Sequence, residues 1–150
     1  MRTLFSLWSL VLTACAAADP VLRQSLNDVQ QRPEIARVSL QPYAHAGHAP
    51  AIAAICVAYG RSIDSQVGGP ERKQAYAWCL QAATAGHVES QYHLGLFYKS
   101  GIGTEPNRDA ALQWFTQASG KGHESAEDEA RGLEGKPRIC RKLTTGCRLF

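Results

Sequence analysis

From Ala85 to Ala118 the apolar residues recur at the spacing of an α-helix rather than at the alternation of a strand, and they do so in two successive blocks. Leu94, Phe97 and Tyr98 fall on one stripe, and Ala111, Trp114, Phe115 and Ala118 form another at i, i+3, i+4 and i+7, with polar residues between them. Two amphipathic helices are predicted. Gly101 and Gly103 release the chain from the first. Pro106-Asn107 starts the second, because an Asn side chain accepts a hydrogen bond from a first-turn N–H, and Arg108-Asp109 occupy that turn. One such hairpin cannot bury both of its faces, so it requires stacked neighbours.

The neighbours are present as weaker copies. Gly47-His48, Gly86-His87 and Gly122-His123 open successive units, Ala51, Ser90 and Ala126 follow at one offset, Tyr59 matches Tyr98, and Trp78 matches Trp114. The first interval is slightly longer than the second, and the excess falls in a loop near Ser65 to Pro70. The expected fold is therefore all-α: a short solenoid of two to two and a half helix-turn-helix units, at 47–85 and 86–121, with a partial unit or capping helix at 122–135. Upstream, Asp19-Pro20 predicts a helix through about Gln31, and Pro33-Glu34 a second through about Leu40, with Pro42 expected to break it. Ala36 then stands where Ala75 stands in the next unit. Residues 15–46 read either as a degenerate capping unit or, through the polar run Arg23 to Arg32, as a tether.

The run G-H-x-x-S-x-x-x-L-G-x-x-Y-x-x-G-x-G beginning at Gly86, followed by Asn107 and by Ala111-x-x-Trp114-Phe115-x-x-Ala118, resembles the Sel1-like repeat, a relative of the tetratricopeptide repeat. The resemblance extends from Gly47 to Ala130. Nearly every position of the second unit matches, whereas the first lacks Gly-x-Gly and has Cys79 in place of the second aromatic. It implies a non-catalytic protein that presents a concave helical surface to a protein partner. Gln91 and His93, as exposed positions of a first helix, are the contacts it suggests, together with the basic tail. Members of this family serve as adaptors in envelope assembly, exopolysaccharide secretion and signalling. Some exported members act as immunity proteins against secreted lipases, and cysteine-rich members have been linked to β-lactam binding or hydrolysis.

The N-terminus changes the picture. Met1-Arg2-Thr3 is a short positive region and Leu4 to Leu12 is an apolar run. As a helix that run rises only about 14 Å, too little for a bilayer core of about 30 Å, so residues 1–14 read as an export signal. Leu12-Thr13-Ala14-Cys15 resembles a bacterial lipobox, in which Cys15 receives a diacylglycerol and becomes the first mature residue. Ala16 after it implies the periplasmic face of the outer membrane. The alternative is cleavage after Ala16-Ala17-Ala18, giving a soluble periplasmic or secreted protein.

An oxidising compartment favours disulfides over free thiols. Besides Cys15 there are Cys56, Cys79, Cys140 and Cys147, which allow three pairings. Aligning the repeats puts Cys56 at the place of Gly95 and Cys79 at the place of Phe115. If the second unit packs the Phe115 ring over Gly95, the alignment implies a Cys56–Cys79 bridge across the first hairpin and leaves Cys140–Cys147 to close a C-terminal ring. A four-Cys zinc site is the rival reading, weakened by the absence of a C-x-x-C pair.

The 150 residues are 45% hydrophobic with a formal charge of +3, a balance that points to no polyanionic partner by itself. Lys136, Arg138, Arg141, Lys142 and Arg148 nevertheless form an acid-free basic tail over 136–150. The tail can meet anionic lipid or an acidic protein patch, or it can be a solvated cap. With no aromatics interleaved, nucleic acid is not expected. G-x-S-x-G, S-x-x-K and H-E-x-x-H are all absent, His123-Glu124-Ser125-Ala126-Glu127 being the nearest miss to the last. Successive repeat histidines are too far apart to share an ion. No metal, cofactor or small-molecule substrate is expected. The reading is a lipid-anchored periplasmic adaptor for an envelope protein, the immunity role and the β-lactam enzyme being the alternatives.

Overall fold

The computed structural model describes residues 19–61 and 69–137, and among them every regular element is an α-helix. They are α1 (Pro20–Asp28), α2 (Pro33–His45), α3 (Ala49–Arg61), α4 (Gly69–Thr84), α5 (Val88–Ser100), α6 (Arg108–Gly120) and α7 (Glu124–Leu133). Each helix packs on the next along the chain. The first helices of successive hairpins also touch, α1 on α3 and α3 on α5, the contact pattern of stacked repeats.

Three hairpin junctions are built alike. Gly47, Gly86 and Gly122 have positive φ, at 81°, 94° and 91°. The N–H of the following His bonds to the carbonyl five residues back, at Tyr43, Ala82 and Ala118, while the Gly N–H bonds three residues back. This paired closure satisfies carbonyls that a helix end otherwise leaves open, and it needs a left-handed residue that glycine supplies without steric cost. At two of the junctions the same His then begins the next helix. Nδ1 of His87 accepts from the Ser90 N–H at 3.2 Å, and Nδ1 of His123 accepts from the Ala126 N–H at 3.2 Å. Termination and initiation thus share two residues. His48 holds the equivalent place, yet its Nδ1 is buried without a partner.

Inside the second hairpin Gly101 caps α5 at φ 69°, and the Asn107 side chain caps α6 by accepting from the Ala110 N–H at 2.9 Å. Gly103 has a second constraint. A Cβ there would lie 2.2 Å from the Arg72 carbonyl oxygen, so the turn packs directly on α4 of the preceding unit.

The two units solve one packing problem with different chemistry. In the second, the fully buried Phe115 ring covers Gly95 so closely that a Cβ would sit 2.6 Å from it. In the first, Cys56 and Cys79 occupy those places as a disulfide with Cα atoms 4.7 Å apart, also fully buried. Cys15, Cys140 and Cys147 lie outside the described residues.

Residues 19–46 form a packed hairpin rather than an extended tether. Asp19 accepts from the Val21 N–H at 2.9 Å as the N-cap of α1 and from the Tyr43 hydroxyl at 2.6 Å, which ties the start of α1 to the end of α2. Pro42 does not break α2, contrary to the expectation; the helix continues to His45. Proline removes one N–H, and the carbonyl it strands belongs to Val38, a residue 65% exposed, where water can replace the lost donor.

Candidate functional site

A surface concavity of the described residues lies where three hairpins meet. The C-terminal half of α1, the length of α3 and the α4–α5 junction enclose an open groove of about 800 Å³. Its apolar lining comes from residues such as Leu26 and Val29 on α1 and Ala53 and Val57 on α3, while Gln30, His87 and Glu89 supply polar atoms. Val29 and Val57 belong to the same core cluster that holds Leu40, Ile55 and Phe97, and Leu26 packs against it, so the groove wall is the outer skin of a packed interior. A wall of that kind is preformed rather than mobile.

Glu89 is the charged member. Its carboxylate reaches two imidazoles on different helices: Nε2 of His123 at 3.1 Å and Nε2 of His93 at 3.6 Å, the latter an electrostatic contact longer than a hydrogen bond. His93 first, then His123, hold the Glu89 acid down to about 2 against the opposing effect of burial. Tyr92 stacks on His123 with ring centroids 4.4 Å apart. The first turn of α5 is thereby fastened to the start of α7. His87, at the groove, is shifted below 6.5 by burial, which the nearby Glu89 carboxylate partly offsets.

Two groups here have the look of reactive sites and serve as structure. Ser90 Oγ lies 2.9 Å from Nδ1 of His87 and so has the look of a nucleophile with its base. Ser90 is fully buried, and that nitrogen already accepts the Ser90 N–H, so the pair is a helix cap. The His93, Glu89 and His123 group fails as a metal site for a related reason. Nδ1 of His123 is engaged as an acceptor, so its proton sits on Nε2, the atom that would have to bind the ion. Among the described residues no group of three His, Cys, Asp or Glu is arranged to hold a metal, and no helix is long and apolar enough to cross a membrane.

Gln91 and His93, expected as exposed partner contacts, are 3% and 5% exposed. Helix α5 packs against α3, α4 and α6 together, which leaves too little free circumference for those side chains. Gln91 Nε2 donates to the Ala83 carbonyl at 3.1 Å and links α4 to α5. His93 fills the space above Gly60, where a Cβ would approach its Nδ1 to 2.1 Å. Of the basic tail only Lys136 is described, paired with Glu134 at 2.9 Å; Arg138, Arg141, Lys142 and Arg148 lie outside the described residues. Glu89 and the capping role of the repeat histidines were missed. The available signal was the recurrence of Gly-His three residues before Ser90 and Ala126.

The histidine cap and the Glu89 contacts set a pH dependence. Protonating Nδ1 of His87 turns the acceptor into a donor and puts positive charge at the N-terminus of α5. Because its folded pKa is lowered, its contribution is complete above 6.5 and is lost as pH falls below that value. The Glu89 contribution is complete above 4.5 and is lost as pH falls toward about 2. The melting temperature should fall in both windows. Circular-dichroism melts should show the upper decline reduced in His87→Asn, which caps without titrating, and the lower one reduced in Glu89→Gln. Slopes unchanged in both variants would contradict this account.

The Sel1 repeat family matches residues 49–87 and 88–123, each match beginning at the first helix of a hairpin. Among curated proteins, the chain is 34% identical over 65 residues to the Chitin synthase regulator SKT5 of Saccharomyces cerevisiae, covering 43% of this chain and 9% of that protein. It is 35% identical over 63 residues to DAP3-binding cell death enhancer 1 of Mus musculus, covering 42% and 12%. Activator of C kinase protein 1 of Saccharomyces cerevisiae is 30% identical over 67 residues, covering 43% and 11%. The chain thus spans about a tenth of the length of these relatives. No solved structure matches it.

Proposed function

Since the chain belongs to the Sel1 repeat family, we propose that it is a non-catalytic protein-interaction adaptor, exported and held by a lipid on Cys15 at the periplasmic face of the outer membrane. The observation that carries the adaptor reading is the groove of about 800 Å³ between α1, α3 and α5. It offers apolar area on a rigid wall, with a carboxylate that stays charged down to about pH 2. The words regulator, DAP3-binding and activator in the relatives' names agree with a protein that acts by contact. Those relatives are eukaryotic, so the export and anchoring parts rest on Met1 to Cys15 alone.

The partner fitting this site is an extended protein segment with small apolar side chains and a basic residue placed against Glu89. Ala54, half-buried at the groove, tests it. Ala54→Glu adds bulk and charge to the lining at a position with access to solvent, so its melting temperature should remain near that of the parent. Affinity capture from the bacterial envelope, compared between the parent and Ala54→Glu, should yield a protein present with the first and lost with the second. A set of captured proteins indifferent to this substitution would sink the groove as the working surface. A captured toxin would convert the adaptor into an immunity protein acting through the same site.

A further inference from the structure

The large exposed apolar side chains of the described residues are Val21, Ile35 and Val38, at 56%, 47% and 65% exposure, and all three stand on the α1–α2 hairpin. Scattered exposed apolar residues are ordinary; a stripe is not. On α2, Ile35, Val38 and Pro42 follow at i, i+3 and i+7 and share one face, opposite the buried Ala36, Leu40 and Ala44. With Ala36, Ala75 and Ala111 as the common reference, the same face carries Gln74, Ala77 and Gln81 on α4 and Ala110, Gln113 and Gln117 on α6. The second helix of a hairpin is thus polar outside in two units and apolar outside in the first. α2 has one carboxylate, Glu34 in its first turn, and no acid interrupts the stripe.

We infer that this outer face of α2, Ile35–Val38–Pro42, is a membrane-contact surface that lies in the hydrated interfacial layer of the lipid bilayer, where water still reaches the Val38 carbonyl. The inference rests on the anchor at Cys15. Three residues lie between Cys15 and Asp19, where α1 is capped, and the four Cα–Cα steps reach at most about 14 Å when fully extended, little more than one helix diameter. A lipid at Cys15 therefore keeps the α1–α2 hairpin beside the bilayer. Tethering turns a contact too weak to recruit a free protein into an intramolecular one.

The test uses the full chain in a bacterial envelope, with a diazirine-bearing amino acid at Val38 or, as the control, at Gln113. Both sites are exposed, so neither replacement removes core packing. After illumination, phospholipid adducts should be several-fold more frequent at position 38 than at 113, on a chain whose N-terminal mass shows an acylated Cys15. An acylated chain with equal lipid adducts at the two sites overturns the membrane face while leaving the anchor intact. Adducts at 38 that are chiefly protein, a second copy of this chain included, overturn it in favour of that occupant. A mature N-terminus without acyl mass fails the anchor itself, read independently of the adducts, and this proposal falls with it.

Discussion

Replacing both bridge cysteines, Cys56→Ala with Cys79→Ala, should cost about 3 kcal/mol, the chain-entropy value for closing a loop of this length. For a domain of this size that corresponds to a melting temperature lower by roughly 10–20 °C. The bridge joins α3 to α4 at full burial, and the other side chains that α4 buries are the alanines Ala75, Ala82 and Ala83, so little on that helix compensates. Melts with and without reductant measure it: reductant should lower the parent by most of this amount and have much less effect on the variant. A variant as stable as the parent would show that the hairpin is held by packing alone. The second unit suggests a rescue. Cys56→Gly with Cys79→Phe installs the pair found at Gly95 and Phe115, and it should recover part of the loss with no crosslink.

Truncating Phe115 to Ala should destabilise the protein by about 3–5 kcal/mol, the range for removing a large buried aromatic side chain from a core that cannot collapse around the void. Phe115 is fully buried over Gly95, near the Tyr92 ring, and belongs to the cluster with Ala118, Ala126 and Ala130 that joins α6 to α7. Its neighbours on that side are alanines, too small to fill the space left behind. Against a typical total of about 5–15 kcal/mol, the loss threatens the folded state. In a stacked array coupling runs mainly between adjacent units, so hydrogen exchange should accelerate over α5 to α7 more than over α1 and α2. Uniform acceleration along the chain would mean that the array opens as a single block.

The repeat phase was legible because its markers are bulky or conformationally special: Gly101 at a left-handed cap, Asn107 at an N-cap, and Phe115 against a glycine. Cys56 and Cys79 could be placed together only by reference to that glycine–aromatic pair. The groove was not legible, since its wall combines α1, α3 and α5, and no local spacing reports contacts between separate hairpins. Gln91 and His93 were misjudged because amphipathic reasoning assumes one covered face, whereas α5 is covered on several sides and buries polar residues. Pro42 misled for the opposite reason: the helix passes through it where the affected carbonyl faces solvent. The capping histidines escaped notice because His is not among the preferred N-cap residues.

The Gly-His junction has a consequence for how such a protein changes its size. A segment cut at Gly86 and rejoined at Gly122 carries its own stop signal and its own start signal, with no linker to redesign. Whole hairpins can therefore be duplicated or excised as cassettes. A single residue inserted at the joint would misplace the glycine, the imidazole, or both. Growth by steps of one unit is built into two adjacent amino acids.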